Sequence, residues 1–414
     1  MRKKHFLFAS VLALLCGSST LHAQDFKLTS SGYFKNQGVD VMAFDDIYPE
    51  GHQGGVCIIM NGHRVATNGD IRLEATPGQW QPVPKQLDRK LGDNSITATL
   101  CYPDSSRHLT GFNPMIYPDL HLIYTVNVES KGKNIEVTVD LDRPIPQEFI
   151  GKVGFNLEFF PGSLFGKPWI MDGQSGIFPQ QPNSPLMTTQ PNYLHTGNYH
   201  DGKKSLADMN KLIGKGYSPI VADDIISEPY AKGTKFTSRP DDPYNKVTIE
   251  SLSGDLQLFD GRMNHNNGWF VLRSNIKPGV TKGAVKWIIT PNVVADWMYQ
   301  PVIQTSQIGY HPTQDKEAVI EMDIRDNRKE TAQIIRIDAD GEKVVKNVTP
   351  ANWGKFLRYN YLKVNFTDVK EPGLYKIKYN TSVSPIFRID NDVYARGVWQ
   401  PVLEYFLPVQ MCHM

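Results

Sequence analysis

Short apolar runs separated by turn residues dominate the first three hundred positions. Val56-Cys57-Ile58-Ile59-Met60, Ile71-Arg72-Leu73-Glu74-Ala75 and Ile96-Thr97-Ala98-Thr99-Leu100 are three of them. Runs over 122–128 and 135–141 follow, and the second alternates apolar and polar residues with period two, the mark of a strand with one buried face. Ser130-Lys131-Gly132-Lys133-Asn134 between them reads as a hairpin connection. Further strands are expected over 153–160, 247–252, 256–259, 269–272 and 285–289. No segment sustains a long helical period; the best short helix spans 205–213, with Ser205 as cap and Gly214 as stop. So many turn-separated strands predict an all-β chain built on a large antiparallel β-sandwich. Over 161–244 the composition shifts to Pro, Gly, Asn and Gln, which reads as long ordered loops on that sandwich, where binding surfaces are often built.

A second strand pattern begins near Pro301. A lead-in over 303–309 precedes a strand over 317–324. Runs over 333–338 and 343–348 flank Ala339-Asp340-Gly341-Glu342, a strong hairpin signal. Strands over 359–364, 373–379 and 385–389 complete roughly six or seven, the size of an immunoglobulin-like sandwich. Asp390-Asn391-Asp392 can then cap a helix whose apolar face carries Tyr394, Val398, Val402, Tyr405, Val409 and Cys412; Pro401 and Pro408 interrupt it, so two short helices are an alternative. That face has nothing left to pack against, which leads us to expect a further helical domain beyond Met414.

The N-terminus has a different pattern. Arg2, Lys3 and Lys4 precede an apolar run over 6–15, and Leu21-His22-Ala23 offers a cleavage site before Gln24, although Leu stands where the motif has a small residue. This is the pattern of a secretory signal peptide. About ten apolar residues are too few to span a bilayer. Cys16-Gly17 raises lipid attachment as an alternative, but Leu15 stands where a small residue is expected before it. The expectation is export to the periplasm, surface or exterior of a bacterium. Export permits a Cys57–Cys101 disulfide, and two buried thiols are equally open. The 414 residues suffice for two or three domains. Basic and acidic residues number 44 and 43; without the leader's three cations the balance is 41 to 43, so no broad basic field for nucleic acid exists. A hydrophobic content of 40% supports packed cores, and 33 Gly and 28 Pro fit a chain rich in turns.

Ser306-Gln307-Ile308-Gly309-Tyr310-His311-Pro312, followed by Lys316 before a strand, resembles the opening of the immunoglobulin-like module of family 9 glycoside hydrolases. Asn365-Phe366-Thr367-Asp368 with Pro372-Gly373-Leu374-Tyr375 resembles that module's penultimate hairpin. Ser384-Pro385-Ile386-Phe387-Arg388-Ile389 resembles its last strand, and Val393-Tyr394 with Tyr405-Phe406 the first helix of the family's catalytic (α/α)6 barrel. The resemblance covers 302–414; the stretch 25–299 looks like the β-rich domain some bacterial members carry in front. It implies hydrolysis of β-1,4-linked glucan with inversion, which needs a general acid and a carboxylate base. In the family the base lies in an Asp-Ala-Gly-Asp motif inside the barrel and the acid near the barrel's end. Neither position exists here. Asp338-Ala339-Asp340-Gly341 has the wrong order and falls on a module hairpin, so no catalytic residue is carried over.

Other chemistry finds little support. The pairs Asp45-Asp46, Asp223-Asp224 and Asp241-Asp242 are adjacent, so their side chains diverge on a strand; solvated charge or calcium binding is the plainer reading. His195 with His200, and His52 with His63, show no converging ligand set, and three mature cysteines without C-x-x-C spacing make no zinc site. G-x-S-x-G, G-x-G-x-x-G and a P-loop are absent, so no cofactor is implied. Aromatic residues are the better lead, because a flat ring can stack on the C–H face of a pyranose. Trp80 and Trp169, in Pro-flanked loops, and Tyr193 and Tyr199, in the long loop, are candidate carbohydrate contacts, with loop packing as the alternative; Trp269 and Trp287 fall in strands and read as core. The expected organisation is a signal peptide over 1–23, a β-rich domain over 24–300, a cellulase-type immunoglobulin-like domain over 301–390 that packs on a catalytic barrel, and the start of that barrel over 391–414. The expected partner is β-glucan. A non-catalytic carbohydrate-binding or adhesion protein is the alternative.

Overall fold

The computed structural model describes residues 25–45, 54–74, 76–78, 82–108, 117–182, 186–188, 225–263, 268–395 and 397–411. The signal-peptide stretch and the expected helix over 205–213 lie outside them. The chain divides into two compact units, Met1–Asp296 and Trp297–Met414.

The first unit is built from two nine-stranded antiparallel sheets. One runs, in spatial order, Lys27–Leu28, Phe34–Asn36, Val39–Ala43, Val56–Met60, His63–Leu73, Val153–Phe159, Phe270–Asn275, Leu256–Asp260 and Ala231–Gly233. The other runs Gln174–Ile177, Pro168–Met171, Lys235–Ser238, Val247–Ser251, Val285–Pro291, Asn134–Leu141, Ile123–Lys131, Ser95–Cys101 and Lys85–Leu91. Period-two patterning explains the second sheet directly. Ile96, Ala98 and Leu100, Val126 and Val128, and Ile135, Val137 and Val139 are all fully buried on one face, while the alternate residues remain partly accessible. Those inward residues meet the inward face of the first sheet. Phe155 and Trp287 pack edge to face at 4.9 Å, Phe159 and Phe236 at 5.8 Å, and the Tyr102 hydroxyl donates to the Ile71 carbonyl at 2.8 Å.

The stretch 161–244 departs from the loop reading. Its described part contributes the edge strands Gln174–Ile177 and Ala231–Gly233, the inner strands Pro168–Met171 and Lys235–Ser238, and the ribbon Leu186–Thr188 paired with Ile225–Ser227. These strands have three or four residues each, too short for periodicity to register. The Gly and Pro that suggested loops mark the turns around them, as at Gly166, with φ +73°, just before Pro168–Met171. Cys57 belongs to the first sheet and Cys101 to the second, and both remain thiols, not a disulfide.

The second unit is an immunoglobulin-like sandwich of nine described strands. Its four-stranded sheet runs Val302–Gln304, Glu317–Asp323, Tyr359–Asn365 and Ala351–Phe356. Its second sheet runs Gly341–Val348, Ala332–Asp338, Gly373–Tyr379 and Ser382–Val383, with Phe387–Ile389 also on Gly373–Tyr379. The expected hairpin closes with Asp338 opposite Gly341. Strand Ala351–Phe356 escaped the sequence reading, because its residues are nearly all exposed and show no alternation. Ile320, Met322, Ile334, Leu362, Val364 and Ile377 form the fully buried core. After this sandwich comes one helix, Gln400–Met411, not two short ones. Pro401 occupies its first turn, where no N–H partner is required.

Candidate functional site

Of the four aromatic residues singled out for carbohydrate contact, Trp80, Tyr193 and Tyr199 lie outside the described residues. Trp169 lies in strand Pro168–Met171 and is 6% exposed. Its indole covers Gly176 on the paired strand so closely that a Cβ there would meet the ring. The ring is therefore packed away from solvent rather than presented to a ligand. Trp287 is fully buried and donates to Ser274 Oγ at 3.0 Å. Among the acidic pairs, Asp242 accepts from the Tyr244 N–H and Asn245 Nδ2 and pairs with Arg239, which makes it a turn brace.

The strongest concentration of charge is inside the first unit. Asn156 is opposite both Asp70 and Arg273 across neighbouring strands of one sheet, which draws polar side chains from three strands together. Glu74 Oε1 accepts from Asn156 Nδ2 at 2.6 Å and Arg273 Nη1 at 3.3 Å; its Oε2 accepts from the Gly78 N–H at 3.2 Å. Arg273 also donates to Asn156 Oδ1, Asn275 Oδ1 and the Glu74 carbonyl. Asp70 accepts from the Tyr124 hydroxyl at 3.0 Å, and Asn68 donates to Glu158 at 2.6 Å. Burial pushes the Glu74 carboxyl up to about 7 against the pull of Arg273 and Arg72. Burial likewise raises Asp70 to about 6 and lowers Arg273. Both members of the Glu74–Arg273 pair drift toward their neutral forms, so desolvation outweighs their attraction. Asp70 Oδ2 and Arg72 Nε have no hydrogen-bond partner among the described protein atoms. Carboxyls titrating near neutrality can exchange protons, but Glu74, Asp70 and Arg273 are at most 1% exposed. This cluster is an internal electrostatic brace across three strands.

In the second unit the residues carrying the family resemblance have a structural duty. Tyr310 accepts the Ser306 N–H and donates to the Glu317 carbonyl, each at 3.0 Å. Gly309 adopts φ +106° directly beneath the Arg388 carbonyl, which leaves no room for a Cβ. The Lys316 ammonium is buried and donates to the Pro312 and Gln314 carbonyls at 2.8 and 3.0 Å. The motif thus locks the entry loop onto the last strand. Asp338 accepts from Arg336 at 2.8 Å on its hairpin, so the superficially catalytic Asp338-Ala339-Asp340-Gly341 is a surface turn.

The outer face of the four-stranded sheet is chemically distinct. Strand Tyr359–Asn365 buries Asn360, Leu362 and Val364 and turns Tyr359, Tyr361 and Lys363 outward. Tyr361 is opposite Glu321, and Tyr359 opposite Asp323. Glu321 accepts from the Tyr299 hydroxyl at 3.0 Å and the Tyr361 hydroxyl at 3.2 Å. Ring centroids run from Trp297 to Tyr299 at 6.5 Å, to Tyr359 at 5.1 Å, to Tyr361 at 6.1 Å and to Trp353 at 5.6 Å. Trp353 and Phe356 are more than half exposed. Asn352, Gly354 and Lys355 of the edge strand join Asn327, Arg328, Lys329, Asn360 and Leu362 around a cavity of about 480 Å³. Sequence reasoning missed this aromatic row. The available signal was Tyr359-Asn360-Tyr361-Leu362-Lys363, where the tyrosines share a parity with a lysine and so face outward.

Residues 298–384 match the cellulase N-terminal ig-like domain family. The match falls within the second unit and agrees with its immunoglobulin-like sandwich. Among solved structures the chain is similar to one described as Bacteroides ovatus GH9, at 26% identity over 23% of this chain and 16% of that one, with TM-score 0.19. It is also similar to the Slr1438 protein of Synechocystis sp. PCC 6803, at 10% identity over 70% of this chain and 98% of that one, with TM-score 0.31. No curated protein matches it. The chain thus spans less than a fifth of the length of the GH9 structure.

Proposed function

We propose that this chain is the N-terminal, non-catalytic portion of an exported bacterial glycoside hydrolase of the family 9 type, acting on β-1,4-linked glucan with inversion. The observation that carries this reading is the match of residues 298–384 to the cellulase N-terminal ig-like domain. The catalytic acid and base would come from a barrel outside this sequence, held about 6.5–9.5 Å apart so that a water fits between base and sugar. Helix Gln400–Met411 would open that barrel. In support, Trp399, Val402, Leu403, Tyr405 and Phe406 around it are all more than half exposed, an apolar surface that neighbouring helices would cover. In this reading the immunoglobulin-like domain braces the barrel, and the front domain binds substrate or positions the enzyme.

The deciding experiment is expression of the reading frame at its natural length, followed by assay on carboxymethylcellulose and on cello-oligosaccharides by NMR. The expected result is hydrolysis releasing the inverted anomer. A natural-length product that binds β-glucan without cleaving it would establish the second reading, a carbohydrate-binding or adhesion β-sandwich protein. The aromatic row on the second unit, partly accessible along its tyrosines and exposed at Trp353, is the observation that favours that alternative.

A further inference from the structure

We propose that the outer face of the four-stranded sheet in the second unit is a binding platform for a β-1,4-linked glucan chain, formed by Trp353, Tyr361, Tyr359 and Tyr299 around Glu321. The choice of glycan rests on the cellulase-type reading; the site rests on the face itself.

Strand alternation assigns this face to solvent, and such faces are ordinarily polar. One end obeys that rule: Lys363 pairs with Glu317 at 2.9 Å. The other end carries the aromatic row. Its rings are not needed by the core, which Ile320, Met322, Leu362 and Val364 already fill from the opposite face of the same two strands. Successive ring centroids stand 5.1 to 6.1 Å apart from Tyr299 to Trp353, on the scale of one pyranose unit, and the rings are tilted 51 to 90° to one another, so a sugar chain would meet edges as well as faces, with Trp353 the ring most open to it.

The polar groups point to the same ligand class. Glu321 holds the Tyr299 and Tyr361 hydroxyls, leaving carboxylate and phenol oxygens as acceptors for sugar hydroxyls between the rings. The Glu321 carboxylate among the rings disfavours a polyanionic glycan and suits a neutral one, while Asp323 is buried and paired with Arg325. Across the ladder from Tyr361, Gly354 has open space where a Cβ would project, so nothing blocks the approach beside Trp353.

The test is calorimetric titration of cellohexaose into the full chain and its variants. Saturable binding is expected. Trp353→Ala and Tyr361→Ala should each weaken it about fivefold or more, the scale of one lost ring contact. Tyr361→Phe, which keeps the ring and loses the bond to Glu321, should retain most of the affinity. Trp353 is 56% exposed, so its replacement leaves the sandwich folded, and near-ultraviolet circular dichroism checks this for every variant. Unchanged affinity in both folded alanine variants overturns the proposal, as does absence of binding by the wild-type chain. Self-association abolished by Trp353→Ala, without cellohexaose binding, would make this face a contact between copies and also overturn it. Hydrolysis by the natural-length product is read separately, so the two readings can fail independently.

Discussion

Glu74 makes the stability of the first unit depend on pH in a direction opposite to that of most carboxylates. Its carboxyl rises from an ordinary 4.5 to about 7 on folding, because burial disfavours the charged form more than Arg273 and Arg72 favour it. A raised folded value means that the group's stabilising contribution is fully present below about pH 4.5 and is lost as pH rises through 7. The shift of about 2.5 units corresponds to about 3 kcal/mol at 1.36 kcal/mol per unit. Asp70, raised to about 6, adds a loss of the same sign at slightly lower pH. Glu74→Gln removes the titration while retaining an acceptor for Asn156 and Arg273; Arg273 keeps Asn156 Oδ1, Asn275 Oδ1 and the backbone carbonyl as partners. The amide places a donor against the Gly78 N–H, which costs about 1 kcal/mol at all pH values. Urea denaturation from pH 5 to pH 8 should therefore show wild-type stability falling about 2–3 kcal/mol more than that of the variant, so that the wild-type curve lies below the variant's by pH 8. Parallel pH profiles for the two proteins, or a wild-type advantage that grows with pH, would refute the electrostatic reasoning.

Three further outcomes are expected. Trp287→Ala removes a fully buried indole that packs on Phe155 and bonds Ser274, and should cost about 3–5 kcal/mol by thermal or urea unfolding. Gly176→Ala drives a methyl into the Trp169 ring and should destabilise by about 1–3 kcal/mol, with a change in the near-ultraviolet tryptophan signal; an unchanged signal would contradict the packing. Lys316→Met strips the donor from buried loop carbonyls and should cost about 1–3 kcal/mol and increase proteolysis near residues 311–316.

Local periodicity carried much of the fold. Ile135 to Leu141 alternates so cleanly because a strand's period matches its one buried face, and that match needs no knowledge of partners. The Asp340-Gly341 hairpin was legible for the same reason, since turn chemistry is local. The entry motif around Gly309, Tyr310 and Lys316 was legible as a pattern, and only the packing of Gly309 beneath Arg388 gave it a physical purpose. What the sequence alone left undecided is long-range pairing. Four-residue strands such as Pro168–Met171 exist because neighbours 60 or more residues away complete their hydrogen bonds, which no local window contains. The same limit hid both side-chain constellations. Glu74 and Arg273 are 199 residues apart, and Trp353 meets Tyr361 only because a bulged edge strand folds beside its neighbour. Composition could name aromatic rings as candidates for sugar contact. Only strand register, which assigns each ring to the core or to the outside, could bury Trp169 and expose Trp353.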